Sequence, residues 1–171
     1  MNTMFRAALV SVLVLSVAAC SQKTKPVEPE PAPPPAPEPV KTAPVSDGKY
    51  TPADLDTDSC LRQRVIYFDF DRDELKPEFT AIVSCHAKYL RDRASARVTL
   101  EGHADERGSR EYNMGLGERR GNSVSSAVQA NGGSSGQLNV VSYGEERPVC
   151  TESNEACWSQ NRRVEIVYTA K

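Results

Sequence analysis

The stretch EGHADERGSREYNMGLGERRG at residues 101–121 reveals more about the fold than any other part of this chain. Just before it, Val98 and Leu100 alternate with polar residues, which predicts a buried strand that ends near Glu101. Ser109 offers an N-cap hydroxyl for a helix that follows. The stretch therefore predicts a strand end, a charged turn and the first half of a helix.

Two charged side chains in this stretch are placed to face one cleft. Leu116 and Arg120 are four residues apart, so they lie on the same helix face, one turn apart. Asp105 lies in the turn that precedes the helix. A turn carboxylate and a helix guanidinium with an apolar surface between them suit a ligand that carries both an ammonium and a carboxylate.

The rest of the domain alternates between strand and helix patterns. Strands are predicted at 65–70, 97–101, 138–142 and 164–168, and helices from residue 77, over 109–130 and as a short turn around residue 158. The long helix ends at the glycines after Asn131. This alternation predicts an α/β sandwich with one layer of helices on one face of a sheet.

The first nineteen residues have the pattern of an export signal. Arg6 forms a basic start, residues 7–17 are apolar, and small residues precede Cys20. The apolar run is too short to span a bilayer as a stable helix. We expect Cys20 to be lipidated and Ser21 to favour sorting to the outer membrane. The alternative is an ordinary secretory signal with a chance cysteine.

The segment 20–49 is predicted to be a tether, with the folded domain at 50–171. Nine of the twelve prolines lie within it, and large apolar side chains are almost absent. Such a segment cannot bury enough surface to offset its ordering entropy, and we expect an extended, disordered spacer. A proline-rich ligand for a binding module is the alternative.

The net charge of −2 is too close to neutral to favour nucleic acid or an anionic surface as the main partner. The arginine pairs at 119–120 and 162–163 have acidic residues nearby, which is typical of a solvated face of mixed charge. The same interpretation applies to the charged residues Glu106, Arg107, Glu111 and Glu118.

Four of the five cysteines remain once Cys20 carries lipid. An even number in an exported chain favours disulfides, for which three pairings are possible. The favoured pairs are Cys60–Cys85, between the segment before the first strand and the helix after it, and Cys150–Cys157, across a short loop. Zinc is the alternative, although the spacing contains no CxxC pairs and no metal site or cofactor is expected.

Four blocks, in order, resemble the OmpA-like peptidoglycan-binding domain family. They are VIYFDFDRDELKPE at 65–78, the stretch 101–121, SYGEERPV at 142–149 and NRRVEIVY at 161–168. The resemblance covers roughly residues 60–170 and is nearest to lipid-anchored members of the family. It implies a βαβαβ domain with a mixed sheet, and binding without catalysis.

The resemblance also implies the ligand, which would be meso-diaminopimelate in the peptidoglycan stem peptide. Arg120 matches the family's carboxylate-binding arginine, and Asp105 matches the aspartate that accepts from the ammonium. The other matching cleft positions are Phe70, Asp71, Asn113 and Leu116. It further implies tethering of the outer membrane to the cell wall, the periplasmic partner TolB, and a part in cell division.

Several alternatives remain open at this point. Asp105 and Arg120 could form only an internal salt bridge, Asn113 a polar contact at the helix end, and Leu116 a core contact. A nearer alternative is a family member that binds the wall but not TolB. An enzyme acting on wall fragments through His103 and Asp105 is a further hypothesis, although neither a nucleophile nor a second histidine accompanies them.

One residue departs from the family pattern, and both histidines are expected to have structural roles. Gly121 stands where the family usually has alanine, at a cost of about 1 kcal/mol to a helix interior. His103 is expected to be a hydrogen-bonded residue at the strand end, and His86 to lie on a helix face.

Overall fold

The computed structural model describes residues 48–171. The predicted signal at 1–19, the lipidation site Cys20 and nearly all of the predicted tether lie outside the described residues. The helices are α1 (Asp54–Thr57), α2 (Thr80–Asp92), α3 (Arg110–Ala130) and α4 (Glu155–Asn161). The strands are β1 (Val65–Tyr67), β2 (Arg97–His103), β3 (Leu138–Gly144) and β4 (Arg163–Ala170).

The four strands form one mixed sheet in the order β1-β4-β2-β3. Strand β4 is antiparallel to β1 and β2, whereas β2 and β3 are parallel. One core joins α2 and α3 to the sheet, and its members include Val83, Leu90, Val124, Val128, Ile66, Leu100 and Ile166. The predicted α/β sandwich with a mixed sheet and helices on one face is therefore confirmed.

The ends of strands β1 and β2 differ from the predictions. Strand β1 ends at Tyr67 instead of Phe70, because the chain turns and Arg72 donates its N–H to the carbonyl of Asp69. Strand β2 extends to His103, where a bulge follows Gly102. The short helix α1 was not predicted. These changes place the loop after β1 beside the end of β2.

Helix α3 lies in backbone contact with strand β2. A methyl group on Gly102 would overlap the carbonyl oxygen of Gly117, and one on Gly117 would lie 2.9 Å from the carbonyl oxygen of Gly102. One turn further along α3, Gly121 packs closely against β3, since a methyl group there would lie 2.6 Å from Val140 Cγ1. Close packing against β3 thus accounts for the glycine that departs from the family pattern.

Within residues 48–171 there are two disulfides, with the favoured pairing. Cys60 is bonded to Cys85 and so joins the segment before β1 to α2. Cys150 is bonded to Cys157 and so closes the loop that leads into α4. Among residues 48–171, no helix has the length and apolar character needed to cross a membrane.

Both histidines are buried in the core. His86 is hydrogen-bonded through its two ring nitrogens to the Tyr168 hydroxyl and the carbonyl of Gln63. His103 is 2% exposed, and neither of its ring nitrogens has a hydrogen-bond partner among the described residues. The expectation of a hydrogen-bonded His103 was wrong, because its ring packs beside the Tyr143 ring, 5.5 Å between centroids.

Replacing Gly117 with alanine should destabilise the domain by about 1–3 kcal/mol, since α3 must move away from β2. Gly115, two residues earlier in α3, is the matched control because its only close neighbour is Arg119 Nη1 at 3.4 Å. Gly115→Ala should stabilise the helix by up to about 1 kcal/mol. Urea unfolding measures both changes, and equal effects would contradict the close contact.

The domain should lose stability as the pH falls from about 7 towards 4.5. Burial, with the nearby Arg163, lowers the pKa of His103 to about 4, and burial also lowers the pKa of His86. Unfolded histidines take up protons near pH 6.5 while the folded ones do not, which costs up to about 1.4 kcal/mol per pH unit for each. Urea unfolding at several pH values measures the slope. His103→Phe should flatten it, and an equally steep slope in that variant would contradict the assignment.

Candidate functional site

A cleft of about 220 Å³ opens where the loop after β1, the end of β2 and the first half of α3 meet. Its walls are formed by Phe70, Asp71, Asp105, Arg107, Gly108, Tyr112, Leu116 and Arg120. Five of the six residues predicted for ligand binding therefore lie together in one cleft. The sixth, Asn113, is not one of the wall residues.

Arg120, on α3, is fully buried and bonds to backbone carbonyls of the loop after β1 and of the end of β2. Its Nε donates to the carbonyl of Arg72 at 2.8 Å and its Nη2 to the carbonyl of Asp69 at 3.1 Å. Its Nη1 donates to the carbonyl of His103 at 2.8 Å. Arg120 thus fastens the loop after β1 to the end of β2, so it has a structural role in addition to lining the cleft.

The charge of Arg120 has no direct counterion in the described part of the chain. Burial lowers the pKa of its guanidinium to about 10, so the group stays protonated at neutral pH. No carboxylate within residues 48–171 forms an ion pair with it; Asp105 pairs with other arginines and Asp73 pairs with Arg119. Since three of its five N–H groups bind carbonyls, one N–H on each terminal nitrogen remains for a ligand.

Asp105 is buried and ion-paired with two arginines. Arg107 Nη2 lies 2.6 Å from its Oδ2, and Arg162 Nη1 lies 3.2 Å from the same oxygen. Burial alone would raise the pKa of Asp105, but the hydrogen bonds from Arg107 and Arg162 outweigh it and hold the pKa below its usual range. The simple alternative of an ion pair between Asp105 and Arg120 is not what the structure has.

The Arg107 guanidinium lies close to two aromatic rings. Its central carbon is 3.9 Å from the centroid of Phe70 and 4.1 Å from that of Trp158. The Trp158 indole N–H donates to Glu106 at 3.0 Å, which fixes the second ring. Both distances are within the cation–π range, so the two rings favour a guanidinium in this position.

The outer rim of the cleft is aromatic and strained. Phe70 is 54% exposed and Tyr112 46% exposed, so both rings reach solvent beside the opening. Asp71 adopts a left-handed backbone with φ of 56°, which is uncommon outside glycine, and accepts a hydrogen bond from the Tyr112 hydroxyl. Tyr112 therefore holds the turn that presents Phe70 and Asp71.

Leu116 and Asn113 have different roles. Leu116 is 5% exposed and provides the apolar wall predicted between the charged groups. The Asn113 side-chain amide donates to the carbonyls of Asp105 at 3.0 Å and Arg107 at 3.3 Å, and also to Glu145. Asn113, near the start of α3, thus holds the turn after β2 through polar contacts with its backbone.

Several arginines expected on the surface are buried. Arg162 and Arg163 are each less than 10% exposed, which corrects the interpretation of that pair as a solvated face, whereas Arg119 is exposed as expected. Arg107, also assigned to the surface, lines the cleft. Local charge pattern does not reveal which arginines will find buried acceptors.

One of the missed wall residues had a signal in the sequence. Tyr112 precedes Leu116 by four residues, as Leu116 precedes Arg120, so the three share one helix face. Arg107 and Gly108 had no such signal, because the course of the turn depends on contacts with α4 and the loop after β1.

The enzyme hypothesis finds no support in the placement of His103. Its ring is buried away from the cleft walls, so it does not converge with Asp105 on a common atom. Within residues 48–171, no three histidine, cysteine, aspartate or glutamate side chains are placed to hold a metal ion.

Comparison with known proteins identifies relatives along the whole chain. The peptidoglycan-associated lipoprotein of Pseudomonas aeruginosa is 50% identical over 113 residues, which are 66% of this chain and 67% of the relative. That of Haemophilus influenzae is 35% identical over 168 residues, 98% of this chain and 100% of the relative.

Solved structures share the fold. The crystal structure of the peptidoglycan-associated lipoprotein from Burkholderia pseudomallei covers 68% of this chain and 98% of its own, with a TM-score of 0.66 and 38% identity. The C-terminal domain of Helicobacter pylori MotB, at 19% identity, covers 62% of this chain and 83% of its own with a TM-score of 0.57, and shows the fold alone. The family model for OmpA matches residues 67–162. The chain therefore belongs to the OmpA family.

Proposed function

We propose that this protein is an outer-membrane lipoprotein whose cleft binds peptidoglycan without covalent linkage, through the free end of meso-diaminopimelate. The observation that carries the proposal is Arg120, a fully buried cation with no direct counterion among the described residues. A buried charge of this kind is costly unless an anion pairs with it. A ligand carboxylate in the cleft would supply that anion.

The surroundings of Arg120 favour a zwitterion over a simple carboxylate. Asp105 lies in the same cleft and offers a carboxylate to an ammonium group. In diaminopimelate the ammonium and the carboxylate stand on one carbon, so both charges reach the site together. Leu116 and the ring of Phe70 provide an apolar wall for the methylene chain that follows.

The relatives support the wall as the source of this ligand. Three of those described above, from Pseudomonas aeruginosa, Haemophilus influenzae and Burkholderia pseudomallei, are named peptidoglycan-associated lipoproteins. A lipid on Cys20 and the segment 21–49, which could reach about 80–90 Å if fully extended at roughly 3.1 Å per residue, would let the domain reach the wall. The protein would thereby tether the outer membrane to the wall.

We further propose that the domain works in the Tol–Pal system, with TolB as its partner, in envelope integrity and cell division. The block at 142–149 lies directly beside the cleft, because Glu145 accepts a hydrogen bond from Asn113. Asn113 also supports the carbonyls of Asp105 and Arg107. A partner bound over this block would therefore act on the same loop as the ligand.

Calorimetric titration tests the ligand. The chain from Ser21 to Lys171 should bind a stem peptide that ends in meso-diaminopimelate, and Asp105→Asn should weaken binding by about tenfold to a hundredfold, the worth of charge-assisted hydrogen bonds. Arg120→Lys should lose binding and also unfold more readily, since a compact ammonium cannot reach the three separated carbonyls that the planar guanidinium spans.

The matched control is Glu118→Gln, an identical change of carboxylate to amide on the exposed side of α3. It should bind like the wild type. Failure of the folded wild type to bind would reject the proposed ligand. Mass spectrometry of the recovered peptide should show no change, whereas a cleaved product would favour the enzyme hypothesis.

Capture of TolB tests the partner. The immobilised chain from Ser21 to Lys171 should retain purified TolB, and the stem peptide should reduce the amount retained, because both act on the loop that Asn113 supports. No capture, with stem-peptide binding intact, would instead support a wall-binding lipoprotein that works without TolB.

A further inference from the structure

The carboxylate of Asp105 is already fully occupied by donors from the protein. Its Oδ1 accepts from the Arg107 backbone N–H at 3.1 Å and from Arg107 Nε at 3.2 Å. Its Oδ2 accepts from Arg107 Nη2 at 2.6 Å and from Arg162 Nη1 at 3.2 Å. A carboxylate has about four lone-pair sites, so none is left for an ammonium group.

An incoming ammonium must therefore displace one of these donors. The backbone N–H of Arg107 is fixed by the turn. Arg162 is 7% exposed, and it also donates to the carbonyl of Phe68 at 3.1 Å and to Glu155 at 2.5 Å. The Arg107 side chain is the most accessible of these donors, at 29% exposed, and it forms one wall of the cleft.

A second acceptor lies beside the Arg107 guanidinium. Glu155 Oε2 is 3.5 Å from Arg107 Nη2, and the Glu155 side chain is 62% exposed. The guanidinium is 3.9 Å from the Phe70 centroid and 4.1 Å from the Trp158 centroid, and cation–π attraction persists to about 6 Å, so a small shift keeps both contacts. The guanidinium can thus move from Asp105 towards Glu155 without losing its aromatic partners.

We propose that Arg107 is an internal cation that occupies Asp105 in the empty cleft and yields to the ammonium of the ligand by moving to Glu155. This inference rests on the proposed function, because it concerns the same ligand. Arg107 thereby keeps the buried carboxylate paired in the free protein and lowers affinity for the zwitterion. Arg107 sets the strength of wall binding, whereas Asp105 and Arg120 set its chemistry.

The test compares two stem peptides, one with the free diaminopimelate ammonium and one with that nitrogen acetylated, by calorimetry on the chain from Ser21 to Lys171. Arg107→Gln should bind the free peptide about tenfold more tightly than the wild type, since no side chain competes for Asp105. Its affinity for the acetylated peptide should stay unchanged. A merely structural role for Arg107 would weaken both.

Three further variants sharpen the test. Arg107→Lys can make only part of the bidentate contact, so its affinity for the free peptide should lie between those of the wild type and Arg107→Gln. If Arg107→Gln folds poorly, Arg107→Lys replaces it. Arg110→Gln, in an exposed ion pair with Glu146, should change nothing. Glu155→Gln should weaken binding of the free peptide in the wild type but not in the Arg107→Gln background, because only Arg107 needs the second acceptor.

The outcomes separate this inference from the proposed function. Wild-type binding of the free peptide with equal or weaker binding by Arg107→Gln would overturn the role of Arg107 alone. Tighter binding of the free peptide by Arg107→Gln than by the wild type, with the acetylated peptide unchanged, would support both the proposed ligand and the role of Arg107. Absence of binding by both folded proteins would overturn the proposed ligand and the role of Arg107 together.

Discussion

The cleft depends on one buried guanidinium. Arg120 takes the carbonyl oxygens of Asp69, Arg72 and His103 as acceptors, and so joins a loop and a strand end that are distant in sequence. A buried charge without a paired anion is costly, and carbonyl dipoles compensate only part of that cost. Because the loop after β1 is held by this side chain, the position of Phe70 at the rim is a consequence of the same contact. The proposed recognition would therefore share this residue with the fold, and the two could not be altered independently there.

Arg120 can reach these carbonyls only because α3 lies unusually close to the sheet. Gly102 and Gly117 bring the two backbones together, and Arg120 follows Gly117 by less than one helical turn. Any side chain at either glycine would push the helix outward and separate the guanidinium from the end of β2. The glycines in this helix, which weaken it as an isolated segment, thus serve the packing on which the site depends.

Much of the fold follows from the sequence, and the site follows in part. Alternating and helical patterns predicted all four strands and the three later helices, and the N-cap of α3 is Ser109 as expected. The end of β1 was misplaced because apolar residues continue into a turn that tertiary contacts with Arg120 create. Arg107 and Arg162 were misjudged for a related reason. Their burial depends on acceptors from other elements, which no local charge pattern encodes.

The charges around the cleft favour the proposed zwitterion over an ion of either sign. Arg107 and Arg162 share the carboxylates of Asp105 and Glu155, and these pairs are nearly balanced. Arg120 alone lacks a direct counterion among the described residues. A lone anion would pair with Arg120 and leave these ion pairs unchanged. A lone cation would only take the place of one arginine in these pairs and leave Arg120 unpaired. In the proposed function, a ligand with both charges on one carbon would neutralise Arg120 and replace one cation of these ion pairs, so recognition would depend on the spacing of its charges rather than on net attraction.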